Sequence, residues 1–184
     1  MFTGIITDAG RIRGVEKRGD TRFTIATAYD AEGIDIGASI ACAGCCLTVV
    51  EKGKDGEGDW FAVDVSQESL DCTTLGTWEE GTRINLERAL KAGDELGGHV
   101  VSGHVDGVGR IVDIRPEGDS LRFTFEAPEG LGRFIAPKGS VTLNGTSLTV
   151  NEVEDPKPGG NSVGTLFGVN ITPPPQPLPT WGYA

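Results

Sequence analysis

Little in this sequence invites a nucleic acid or a membrane. Among 184 residues, 16 are Lys or Arg and 27 are Asp or Glu, so the formal net charge is −11. Such a surface is repelled by phosphate backbones and by anionic bilayers. No apolar run approaches the roughly 20 residues a membrane helix needs. The start, MFTGIITDAG, lacks the basic opening and long apolar segment of a secretory signal, so the cytoplasm is the expected compartment. Cysteine is sparse: Cys42, Cys45, Cys46 and Cys72. In a cytoplasmic chain these are expected as thiols rather than disulfides. A structural zinc site wants two separated ligand pairs. Here the second pair is missing, and Cys45 and Cys46 would face opposite sides of a strand, so no metal is expected. Histidine is scarcer still, with only His99 and His104.

Glycine is what the chain has in quantity: 28 residues, the mark of many tight turns. The sequence also repeats itself. Gly10-Arg11-Ile12 returns as Gly109-Arg110-Ile111, shifted by 99. Arg22-Phe23-Thr24-Ile25 returns as Arg122-Phe123-Thr124-Phe125, shifted by 100. GASIACAGCCLTV (37–49) returns as KGSVTLNGTSLTV (138–150), shifted by 101. Phe61-Ala62-Val63 and Thr74-Leu75-Gly76 return as Phe167-Gly168-Val169 and Thr180-Trp181-Gly182, both shifted by 106. The offset only rises, and its largest step coincides with EDPKPGGNSVG (154–164), a loop by composition. This is a tandem duplication with loop insertions. The boundary falls near Gly97-Gly98-His99, dividing the chain into repeats at 1–98 and 99–184.

Arg22–Ala26, Ser39–Cys42, Leu47–Glu51, Trp60–Val65 and Arg83–Arg88 read as short strands with partial alternation. Ser66–Leu70 and Pro128–Ile135 read as short helical turns. The predicted class is all-β, with each repeat a small closed barrel of six strands that leaves no sheet edge exposed.

Four segments carry a family likeness: MFTGII at the start, GCCLTV at 44–49, NLERALKAGDELGGHVVSGHVDG at 85–107 and KGSVTLNGTSLTV at 138–150. Together they resemble the riboflavin synthase family, from Met1 to about Val169. The resemblance implies two tandem six-stranded Greek-key barrels, each holding one 6,7-dimethyl-8-ribityllumazine. It implies a dismutation in which one lumazine gives a four-carbon unit to the other, yielding riboflavin and 5-amino-6-ribitylaminouracil. No metal or added cofactor is implied. A homotrimer is implied, with the reacting pair held between the first barrel of one subunit and the second of another, and lumazine synthase is a further candidate partner. A lumazine-binding protein without turnover shares the same architecture and is the alternative from another class.

Carried over residue by residue, the likeness places the first lumazine site at Gly4, Ile5 and Ile6, at Cys46, Leu47 and Thr48, and along Asp64, Val65, Ser66, Gln67, Glu68 and Ser69. The second site takes Gly103, His104 and Val105 with Ser147, Leu148 and Thr149, and Thr172 and Pro173 fall where the family's second site continues. Lys138 reaches in from a neighbouring subunit. On strand statistics alone Cys46 reads as small apolar filling. Yet Ser147 stands at its repeat equivalent, and attack on an electrophilic ring needs a nucleophile or activated water, so Cys46 and Ser147 are expected beside the reacting rings. A lone His is commonly a surface residue. His104 aligns with Ile5, which gives the two sites unequal chemistry and suits His104 as the shuttle for a methyl proton. Its spacing of five from His99 would put the two on opposite faces of a strand. A lone Lys is commonly solvated surface, and Lys138 replaces Gly37 of the first copy.

The second copy departs from the family near its end. ITPPPQPLPTWG (171–182) holds a proline run that neither strand nor helical turn accommodates. By repeat arithmetic the second barrel is expected to lack its closing strand and a C-terminal helix, through a frameshift or truncation, a rebuilt end or an omitted tail. The proline run favours the first. Weaker trimerisation and lower activity are the expected consequences.

Overall fold

Alternation and turn chemistry together build the first unit. The structure, a computed structural model, describes residues 1–154 and 164–171. Six strands come first: β1 (Asp8–Arg18), β2 (Asp20–Ala26), β3 (Ser39–Cys42), β4 (Cys45–Asp55), β5 (Gly58–Val65) and β6 (Arg83–Arg88). They close an antiparallel barrel in the order β1-β2-β5-β4-β3-β6. The helical turn expected at Ser66–Leu70 is α1 (Gln67–Cys72), capped by Ser66, whose hydroxyl accepts from the Ser69 N–H.

The odd positions of β4 and β5 turn inward. Cys45, Leu47, Val49, Val63 and Val65 are buried with Phe23, Ile25, Ile40, Phe61 and Leu86, while Cys46, Thr48 and Asp64 stay more open. Cys45 and Cys46 therefore face opposite sides, as the alternation requires. The Phe23 and Trp78 rings meet edge to face, 5.3 Å apart.

The second unit repeats the plan. Its strands are β7 (Arg110–Glu117), β8 (Ser120–Glu126), β9 (Ser140–Leu143), β10 (Thr146–Glu154) and β11 (Leu166–Ile171). Their order is β7-β8-β11-β10-β9, the first unit's order without a counterpart of β6 among the described residues. Core positions recur too: Phe23, Val49, Phe61 and Val63 have Phe123, Val150, Phe167 and Val169 as buried equivalents. So do the bulges, at Ile12/Gly14 and Ile111/Asp113, and at Val49/Glu51 and Val150/Glu152. Such bulges add local twist, which a small barrel needs to curve. The turn read at Pro128–Ile135 is a single 3₁₀ turn, Gly132–Phe134. What the sequence implied after Ile171 lies outside the described residues.

Two hairpin turns match as well. Ala43 and Gly44 have φ of 49° and 86°, and Asn144 and Gly145 have 49° and 83°. Two successive positive φ values are the type I′ geometry that suits strand twist.

Contacts group Met1–Val105 and Asn144–Thr146 as one unit, and Asp106–Leu143 with the described residues from Ser147 onward as the other. The stretch 97–105 therefore packs with the first unit. It is not the regular strand on which the histidine spacing argument relied. Among the described residues its one ladder contact is the antiparallel bridge Phe2↔Val101, and Gly103, at φ 80°, turns the chain. Opposite faces of a strand thus say nothing about His99 and His104.

Candidate functional site

On the outer face of the first barrel, Cys46 and Thr48 rise from β4 and Asp64 from the end of β5, with Ser66 just beyond it. The Val49↔Val63 pairing sets Thr48 and Asp64 side by side. The Cys46 N–H donates to the Gly103 carbonyl at 2.8 Å. A Cβ placed on Gly103 would come within 2.7 Å of the Cys46 Cβ and 2.8 Å of the Phe2 ring. Only glycine allows both that approach and its φ of 80°. The buried Phe2, Ala41 and Val101, with Cys46 and Ala89 against them, form a small apolar floor under this contact.

The N-terminal segment joins the same place. Phe2 and Val101 exchange N–H···O bonds of 2.8 and 3.0 Å, and the His99 N–H donates to the Thr3 carbonyl at 3.0 Å. Thr3-Gly4-Ile5 and Ser102-Gly103-His104 have one local geometry. Gly4 and Gly103 have φ of 76° and 80°. The Ile5 N–H donates to the Thr3 hydroxyl at 3.1 Å and the His104 N–H to the Ser102 hydroxyl at 3.2 Å. These hydroxyl turns present Ile5 and His104 outward, and both are exposed.

Charge on the face is organised. Arg22 holds Asp64 with two bonds of 2.8 and 3.0 Å and reaches Glu51 at 2.9 Å. The guanidinium holds the Asp64 carboxyl below its ordinary range. Burial pushes the Cys42 and Cys45 thiols up, which disfavours the nucleophilic thiolate. Half-buried Cys46 is the thiol of this hairpin that reaches the outer face.

The predicted first-site residues thus divide. Gly4, Ile5, Ile6, Cys46 and Thr48 belong to one unit with Asp64, Ser66, Gln67, Glu68 and Ser69, and Gly103, His104 and Val105, expected at the second site, fall in that same unit rather than with Ser147, Leu148 and Thr149. Leu47 and Val65 point into the core, leaving only their backbone to an outer ligand. Ser66 is occupied as the cap of α1, and Gln67 bonds Asp71 at 2.8 Å.

In the second unit, Ser147, Leu148 and Thr149 follow one another on β10. Leu148 packs on the core while Thr149 is exposed, matching Leu47 and Thr48. Lys138 is exposed at φ 66°, and its N–H donates to the Val150 carbonyl at 2.7 Å. Gly37 makes the same bond to Val49 at 2.8 Å with φ of 87°. A lysine here holds a backbone conformation that glycine adopts without strain. Thr172 and Pro173 lie outside the described residues.

Sequence reasoning missed Phe2, Thr3, Arg22 and Glu87 as parts of this site. Glu87 is the clearest. It is buried, and its carboxylate accepts the Thr3 N–H at 2.6 Å, the Thr3 hydroxyl at 2.7 Å and the Gly4 N–H at 2.9 Å. In the alternating RINLER segment it reads as one more polar residue, although it belongs to a buried pair in the strand pattern.

The lumazine binding domain model matches this chain twice, over residues 3–89 and 102–175. A riboflavin synthase of Brucella abortus is 56% identical over 157 residues, covering 83% of this chain and 77% of that one. The riboflavin synthase of Mycobacterium bovis is 39% identical over 185 residues, covering 100% and 88%. The chain belongs to the riboflavin synthase family. The family's activity is that of a transferase, and the lumazine-binding domain occurs in tandem in this chain. Among solved structures, LumP complexed with 6,7-dimethyl-8-(1'-D-ribityl) lumazine superimposes with a TM-score of 0.73 at 27% identity, covering 94% of this chain and 86% of that one. LumP complexed with riboflavin gives 0.74 at the same identity, over 92% and 87%.

Proposed function

We propose that each repeat of this chain holds one 6,7-dimethyl-8-ribityllumazine, and that a four-carbon unit passes from one to the other. The observation that carries this reading is the meeting of Cys46 with the Ser102-Gly103-His104 turn. It puts a thiol, a hydroxyl turn and an imidazole-bearing residue on one small patch. An electron-poor bicyclic ring is served there by short polar groups beside close backbone, and a polyol tail by small hydroxyls such as Thr48 and Ser66.

In this reading the first ligand lies against Gly4, Ile5, Ile6, Cys46 and Thr48, with Asp64 and the start of α1 along its tail. Ser147 and Thr149 hold the second, and Lys138 contributes from a neighbouring chain. Cys46 and Ser147 flank the reacting rings, where either a thiolate or an activated water attacks the electrophilic carbon. His104 carries the methyl proton, since imidazole exchanges protons near neutral pH. The working assembly is a homotrimer. Ile5, Leu96, Val100 and Val105 support it, being large apolar side chains that remain exposed on one unit. Four free thiols accord with a reducing compartment, the cytoplasm.

The test is to supply the purified protein with dimethylribityllumazine alone and to compare Cys46→Ala and His104→Gln. Unchanged turnover in Cys46→Ala removes the cysteine from the chemistry. An unaltered pH–rate profile in His104→Gln removes the shuttle.

A further inference from the structure

The three donors around Glu87 form one closed set. One carboxylate oxygen takes both the N–H and the hydroxyl of Thr3, and the other takes the Gly4 N–H. The Thr3 hydroxyl also accepts from the Ile5 N–H, so its own proton points to Glu87. Every partner donates, so both carboxylate oxygens serve here as acceptors. The N–H groups of Thr3 and Gly4 would otherwise be left without partners in a buried place. Glu87 lies 84 residues from Thr3 in sequence, so this contact ties the chain's first residues to the strand that closes the barrel. Among the described residues, no carboxylate holds the matching turn at Ser102.

We propose that Glu87 is a positioning residue for the first lumazine site: it holds the Thr3-Gly4-Ile5 turn in the conformation that the ligand meets. This rests on the reading that Gly4–Ile6 bind the lumazine ring. The other groups of the first site come from regular strands, whereas Gly4 to Ile6 belong to an irregular segment with few ladder bonds. Glu87 supplies the order a ladder would give. A glutamine cannot replace it, because its amide offers one acceptor oxygen and would turn an NH₂ toward N–H donors.

The test pairs amide hydrogen exchange with steady-state kinetics on the full-length protein. First, wild type is compared with and without dimethylribityllumazine. Protection of the Gly4 and Ile5 amides supports the underlying site. Its absence removes that site and the inference with it. Second, Glu87→Gln is compared with wild type without ligand. Faster exchange confined to residues 3–6, with KM raised about tenfold and kcat lowered less, supports positioning. Unchanged exchange there, or unchanged KM, overturns the role of Glu87 while leaving the site intact. If Glu87→Gln does not fold, Thr3→Val removes one donor and keeps the carboxylate. It should raise KM about threefold with the same local loosening, and an unchanged KM overturns the inference.

Discussion

The backbone N–H of Cys46 donates to the carbonyl of Gly103 at 2.8 Å. A residue from the tip of the first repeat's hairpin is thereby fastened to a motif from the start of the second. The contact leaves no room for a side chain on Gly103, whose φ of 80° also excludes most residues. Gly103→Ala should cost about 2–4 kcal/mol, combining left-handed strain with overpacking. Urea denaturation measures it. A loss under about 0.5 kcal/mol, within the scatter of neutral surface changes, contradicts the packing described.

Lys138 has φ of 66° where the equivalent residue of the first repeat is Gly37. Lys138→Gly should raise stability by about 1 kcal/mol, while kcat/KM for dimethylribityllumazine falls. Thermal melting and initial rates decide it together. A variant both more stable and fully active shows that the lysine contributes nothing to the reaction.

Ala43 has φ of 49°, the value that Asn144 has in the second repeat. Ala43→Gly relieves this strain at the cost of a more flexible unfolded chain. The net gain should be about 0.5–1 kcal/mol, with kinetics unchanged. Urea denaturation checks the gain and initial rates the neutrality.

Much of this architecture was legible because duplication writes each constraint twice. The matched motifs set Leu47 and Leu148 at equivalent positions, although both were assigned to the ligand and pack on the cores instead. The opposite facing of Cys45 and Cys46 was legible from simple alternation. The path of 97–105 was not legible, because glycine at 97, 98 and 103 admits an irregular course that no periodicity describes, and the strand-face argument for His99 and His104 has no strand to act on. Glu87 was invisible for a different reason. Its partners are 83 and 84 residues away, and local pattern carries no information about such a contact. The Arg22–Asp64 pair is similar: the strand register creates it, and register was not read from sequence.

The Asp64 carboxyl lies below its ordinary range because Arg22 binds it. A depressed folded value means that the pair stabilises the protein above the unfolded Asp value, about 3.9. That stability is lost as pH falls through the lower folded value. Asp64→Asn should therefore be less stable than wild type at neutral pH and flatter across the acid limb. Melting temperatures from pH 7 to pH 2 test the sign. A variant that matches wild type throughout shows that solvent screening cancels the pair.

The most direct measurement is the stoichiometry of turnover with dimethylribityllumazine as sole substrate and no added metal or cofactor. Separation of the products by chromatography should show two lumazines consumed for each riboflavin formed, with an equal amount of 5-amino-6-ribitylaminouracil. Lumazine recovered unchanged, or riboflavin formed without the pyrimidine product, contradicts the dismutation on which the account rests.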